Sequence, residues 1–157
     1  MSGDSHASLA RRLVQQARCG SLATLALDPA GFPFASLVAV ADDGQGCPLM
    51  VISTLAEHTR HLLADPRASL LLWDEDPGAD PLAAGRVTLV GPCQPVEDRE
   101  VPQARQRFLE AHPEAKIYVD FADFRPYRLS PEAVRFVGGF GRMSWVDGAA
   151  YRAVSAG

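Results

Sequence analysis

The sequence predicts an α+β domain, mainly β, in which an antiparallel barrel carries helices at its margins. Roughly six or seven short apolar segments of strand length recur along the chain. Most are separated by tight-turn chemistry such as Asp28-Pro29-Ala30-Gly31 and Asp42-Asp43-Gly44-Gln45-Gly46. Helical patterns fall between strands only once or twice, whereas a doubly wound parallel sheet needs them regularly. The 157 residues suffice for one domain with a substantial core. We read it as a single domain over 1–157, with the N-terminal helix inside 1–20 and a C-terminal tail from 143 to 157.

In chain order, residues 7–18 read as an amphipathic helix. Leu9, Leu13, Val14 and Ala17 form one stripe, and Gly20 stands just past its end. Residues 21–28 and 32–41 read as two strands of a hairpin. A second turn delivers the chain to a strand through Leu49-Met50-Val51-Ile52. The pattern then changes abruptly. Thr54 and Glu57 have the T-x-x-E spacing of a capping box, which predicts a helix over 55–64 that Asp65-Pro66 stops. A further strand is predicted over 68–73, an acidic loop over 74–81, a strand over 86–91 and a helix over 98–111. Two strands, 124–129 and 134–137, flank the turn Ser130-Pro131-Glu132-Ala133. Gly138-Gly139-Phe140-Gly141-Arg142 is not a dinucleotide fingerprint, because Ser144 occupies the third glycine position and no helix follows. Its glycines read as positions of positive φ or close backbone approach.

The strand-to-helix junction is the chemically suggestive place. A helix start presents free N–H groups and a partial positive charge. Here it also carries the hydroxyls of Ser53, Thr54 and Thr59, the Arg60 guanidinium, and the imidazoles of His58 and His61. Such an end suits a phosphate. His58 and His61 share a helix face, but only Glu57 is near enough to add to them, and metal sites need three or four ligands. No metal site is expected. The carboxylates of the acidic loop read as a solvated surface.

Composition excludes several classes. The chain is 47% hydrophobic and 22% charged with a net charge of −4, so it has no electrostatic footprint for nucleic acid or an anionic membrane. Cys19, Cys47 and Cys93 form no zinc or redox pattern and read as free thiols in a reducing compartment. The start resembles no secretory signal, and no apolar run approaches a membrane span. A cytoplasmic protein is the expectation.

The order of elements resembles the FMN-binding split-barrel family related to pyridoxamine phosphate oxidase, and most specifically its haem-utilisation branch. The second likeness is carried by Leu55-Ala56-Glu57-His58-Thr59-Arg60, Asp80-Pro81-Leu82-Ala83, Arg86-Val87-Thr88-Leu89-Val90-Gly91, Asp120-Phe121-Ala122-Asp123-Phe124 and Gly138-Gly139-Phe140-Gly141-Arg142. The resemblance implies a six-stranded antiparallel split barrel of Greek-key type. It also implies a homodimer with cofactor sites at the subunit interface.

Under that resemblance the FMN phosphate would sit at the junction, against Ile52 and Ser53 on the strand and Glu57, His58 and Thr59 at the helix start, where the Thr54 hydroxyl and the Arg60 guanidinium add to the cofactor-binding set. Val38 would touch the isoalloxazine edge, with Arg86, Arg142 and Trp145 near the ring or the shared site. The chain departs from the flavin oxidases at His58 and Thr59, where they carry Arg and Lys, and at Ala41, where they carry Lys. The branch's tail histidine is also absent: residues 143–157 hold none, which leaves Tyr151 as a tail residue able to ligate ferric haem. Three readings follow: an FMN-dependent oxidoreductase that does not act on pyridoxamine phosphate, a haem-binding or haem-utilisation protein, and a split-barrel module without cofactor. The first is our leading expectation. Hydride transfer to a flavin requires no acid–base pair, and no catalytic residue is assigned.

Overall fold

The structure is a computed structural model that describes residues 5–76, 78 and 80–154. Parts of the predicted acidic loop (77 and 79) and of the tail (155–157) lie outside the described residues. Among the described residues the chain forms nine strands and four α-helices. The strands are β1 (Cys19–Leu25), β2 (Pro33–Ala39), β3 (Ala41–Asp42), β4 (Pro48–Ser53), β5 (Arg67–Trp73), β6 (Arg86–Pro95), β7 (Phe124–Leu129), β8 (Ala133–Val137) and β9 (Met143–Asp147). The helices are α1 (His6–Gln16), α2 (Glu57–Ala64), α3 (Val101–Ala111) and α4 (Gly148–Ala153).

All strand pairs are antiparallel, in the order β2-β1-β5-β6-β7-β4-β3, with β8 and β9 branching from β6. The mainly-β α+β class is as expected; the count of six strands is not. The branch arises because β6 serves two sheets. Residues 86–92 pair with β5, 86–90 also with β8, and 93–95 with β7. Gly91 lies just past the β8 pairing, where a Cβ would run into the Ser130 carbonyl, so a side chain there would block the approach that curls the sheet.

The predicted 21–28/32–41 hairpin forms, with β1 beginning two residues earlier than expected and β2 falling within its expected span: Gly20 faces Val38 and Thr24 faces Phe34. Gly20 is therefore a strand residue, not a helix terminator. α1 ends at Gln16, and a Cβ on Gly20 would lie 2.8 Å from the Leu71 carbonyl oxygen of β5. β9 and α4 were not foreseen. The glycine stretch does form a turn, with φ of +102° at Gly139 and +75° at Gly141, and it returns the chain as β9.

The main core lies between α1 and the concave sheet, with Leu22, Leu70, Leu72, Leu89 and Leu129 all fully buried. α3 covers the far side through Phe108. Arg11 is also buried, 3.8 Å from Asp42, with its guanidinium 5.5 Å from the centre of the Tyr151 ring. Tyr151 donates a 2.7 Å hydrogen bond to the Gly46 carbonyl and so fastens α4 to the β3–β4 turn. The outer face of the sheet stays open. Register aligns Leu37, Ser21, Leu71, Thr88, Arg135 and Trp145 in one row across six strands, with Leu37 79% and Trp145 63% exposed.

Candidate functional site

β4 ends at Ser53, and the next three residues form a corner before α2. The predicted capping box does not form. α2 begins at Glu57, its N-cap is Ala56, and no side chain caps it. The hydroxyl that organises the corner belongs to Ser53. It donates to Asp123 Oδ2 at 2.9 Å and accepts from the Leu55 amide at 3.1 Å. The Thr54 amide donates to the Asp123 carbonyl at 2.7 Å, while the Thr54 side chain is exposed. Asp123 thus pins the corner from the segment before β7. Thr54 loses to Ser53 because a strand-end serine paired with a carboxylate makes a charge-assisted bond that a lone cap cannot match.

Within the first turns of α2 the polar groups divide. Glu57 Oε1 accepts from Arg60 at 3.0 Å, and Glu57 Oε2 lies 3.5 Å from His61 Nε2. The other ring nitrogen of His61 is 2.9 Å from Thr24 Oγ1, and its ring stands edge-on to Phe34 at 5.1 Å. His61 is therefore a fully satisfied buried residue. His58 and Thr59 differ from it: His58 Nε2 and Thr59 Oγ1 are buried and without a hydrogen-bond partner among the described residues. Burial, and secondarily the neighbouring His61, lowers the His58 pKa from 6.5, so its imidazole is neutral at neutral pH. A neutral ring with an unused nitrogen is the form that takes a metal ion.

Five of the expected residues (Ser53, Thr54, His58, Thr59 and Arg60) are gathered at this corner. Val38 and Ile52 are buried core residues, so their side chains face away from any surface ligand. Arg86 donates to the Leu82 and Ala84 carbonyls and is spent on its own loop. Trp145 lies on the open sheet face with Arg135 over its ring. Arg142 lines a separate cleft of about 470 Å³, walled by Leu9, Leu13, Trp73 and Phe136 and rimmed by Arg12 and the carboxylates 74–76. Tyr151 is unsuited as an iron ligand. It is fully buried, its hydroxyl is engaged, and burial raises its pKa.

Sequence reasoning missed Asp123 and the restraint of Arg60 by Glu57. The T-x-x-E spacing signalled Glu57, but in the wrong role. The thiols are free; burial raises Cys47 to about 11 and Cys93 to about 12, which makes both unreactive.

The fold is an antiparallel split barrel with a strand-to-helix corner at the end of β4. The chain belongs to the CREG β-barrel family, which it matches over residues 2–153. It is 37% identical over 129 residues to the chloroplastic non-canonical haem oxygenase HOZ of Arabidopsis thaliana, a match covering 82% of this chain and 39% of that protein. This chain thus spans about two fifths of that relative. The solved structure of a haem-binding protein from Mycobacterium smegmatis is 40% identical with a TM-score of 0.91, covering 99% of this chain and 63% of that one. A pyridoxinephosphate oxidase-family protein from Clostridium acetobutylicum related to general stress protein 26 shares the fold at 13% identity, with a TM-score of 0.67 over 92% of this chain and 96% of that one. Among the described residues no helix is long and apolar enough to cross a membrane.

Proposed function

We propose that this chain is a haem-binding protein of the haem-utilisation type and that His58 is its iron ligand. The observation carrying the reading is the 40% identity, over almost the whole chain, to a haem-binding protein. The corner is consistent with it. Of the four histidines, His61 and His112 are buried with both ring nitrogens within bonding or ion-pair distance of a partner. His6 is bonded to Ser144 at 2.6 Å. His58 keeps a buried nitrogen without a partner among the described residues. Bound haem would supply an iron whose reactivity its axial ligand and surroundings tune. The chain's own part is to offer a neutral imidazole on a helix that Ser53 and Asp123 hold in place.

FMN, our leading expectation from sequence, has less support. A phosphate dianion needs free positive charge, and Arg60 is paired with Glu57. The likeness to the oxidase-family structure speaks for the fold alone. A homodimer formed through the open sheet face fits both readings, since it would cover Leu37 and Trp145.

Parallel titrations with haemin and FMN test the proposal. Saturable haemin uptake with a Soret band, together with weak FMN uptake, is the expected result. Tight FMN uptake without haemin binding would restore the flavoprotein reading. Specific binding of neither would leave a module without cofactor.

A further inference from the structure

The cleft between α1 and the ends of β5 and β8 shares no lining residue with the strand-to-helix corner. It opens where three strands finish together: Trp73, Arg86 and Val137 stand in one row across β5, β6 and β8. Beyond that row the chain turns back twice. The Asp74 amide donates to the Gly85 carbonyl at 2.9 Å, and the Gly138 amide donates to the Arg142 carbonyl at 2.7 Å. The first closure brings carboxylates 74–76 to the cleft. The second brings Arg142 back to it, where Arg12 of α1 also stands. Leu9 and Leu13, one helical turn apart on α1, form an apolar wall with the half-buried Trp73 and the buried Phe136, around a space of about 470 Å³.

A pocket of this size with an apolar wall and a few charged groups is the ordinary form of a small-molecule site. The charges select the ligand. Three carboxylates and two guanidiniums line one space, so a simple anion meets the carboxylates and a simple cation meets the guanidiniums. A ligand that carries both signs has a partner for each. Trp73 adds an aromatic surface that favours an ammonium group and an apolar body alike. We propose that this cleft is a binding site for a small zwitterion with an apolar body, of the hydrophobic α-amino acid class. The ligand's carboxylate pairs with Arg142 and its ammonium with the acidic turn, while its body lies against Leu9, Leu13, Trp73 and Phe136. The inference does not rest on haem binding.

Calorimetric titration with three probes that share one aromatic body tests the proposal. Phenylalanine carries both charges, phenethylamine only the positive one and hydrocinnamate only the negative one. Wild type should bind phenylalanine about tenfold more tightly than either of the others, the factor that one hydrogen-bonded charge supplies. The preference should shrink at high salt. Arg142→Gln should bring phenylalanine down to the level of phenethylamine, and Glu75→Gln/Asp76→Asn down to that of hydrocinnamate. These side chains are exposed, and thermal melting confirms that each variant is folded. The chain has two tryptophans, so Trp145→Phe leaves Trp73 as the reporter, and its fluorescence should change on saturation with phenylalanine. Failure of phenylalanine to bind would overturn the proposal, as would equal affinity for all three probes, an unchanged preference in the folded variants, or a silent Trp73. Competitive displacement of phenylalanine by haemin would assign the cleft to haem and overturn it too.

Discussion

Ser53→Ala should be the most informative single change for the architecture of the corner. Its hydroxyl makes two bonds, one to the Asp123 carboxylate at 2.9 Å and one from the Leu55 amide at 3.1 Å. A hydrogen bond to a charged group contributes about 1.5–3 kcal/mol and a neutral one about 0.5–1.5 kcal/mol. Ser53 is only half-buried, so the lower ends apply and the expected loss is about 2 kcal/mol. For a chain of this length that lowers Tm by about 4–8 °C. Thr54→Ala is the matched control. Its side chain is exposed and caps nothing, so it should change stability by less than about 0.5 kcal/mol. The assay is urea unfolding of both variants, with Ser53→Ala/Asp123→Ala closing a double-mutant cycle whose coupling should be about 1–1.5 kcal/mol. Equal losses for Ser53→Ala and Thr54→Ala, or zero coupling to Asp123, would refute the description of the corner.

Three further outcomes follow from the same geometry. Tyr151→Phe should cost about 1–2 kcal/mol, because the buried Gly46 carbonyl loses its donor, yet it should leave haemin affinity within about twofold in a folded variant; a large loss of haemin would make Tyr151 a ligand after all. The proposed dimer through the open sheet face predicts a dimeric wild type and a monomeric Leu37→Asp, at a side chain 79% exposed, in sedimentation velocity, with far-UV circular dichroism preserved; a monomeric wild type would refute the dimer, and a variant that stays dimeric would place the interface elsewhere. For pH, the His58 pKa is lowered on folding from 6.5, so the unfolded chain takes up the proton first. Its contribution is therefore present above that value and is lost as pH falls through it. His58→Gln should flatten the stability profile between pH 7 and 5, and an identical slope in both proteins would show that His58 is not the group responsible.

Much of the fold was legible because it is written in local patterns. Apolar runs marked β1, β4 and β5, alternation marked β6, and turn residues marked the β1–β2 hairpin. β9 was not legible, since Met143-Ser144-Trp145-Val146-Asp147 alternates only weakly and is a strand because β8 lies beside it. The same holds for α4, whose six residues are secured by the buried Tyr151 contact more than by propensity. Gly20 was read as a helix terminator because sequence distinguishes that role poorly from a strand glycine crowded by β5.

At the corner, residue types were readable but partners were not. Ser53, Thr54, Glu57, His58, Thr59 and Arg60 are neighbours in sequence. Which hydroxyl works depends on Asp123, seventy residues away. Likewise, the charge on Arg60 suggested a phosphate until its pairing with Glu57 was visible. Val38 illustrates the same limit, because it is buried while its neighbour Leu37 is exposed, and a shift of one residue decides between core and surface; Ile52 lies in β4, which is buried on both faces.

The central claim is that the unused nitrogen of His58 holds haem iron. It is tested most directly by titrating haemin into wild type and His58→Gly, recording the Soret band, and then adding free imidazole to the variant. The account predicts saturable binding by wild type, a weakened and shifted band in His58→Gly, and recovery of the wild-type spectrum with imidazole. A His58→Gly protein that binds haemin with the wild-type affinity and spectrum would contradict it.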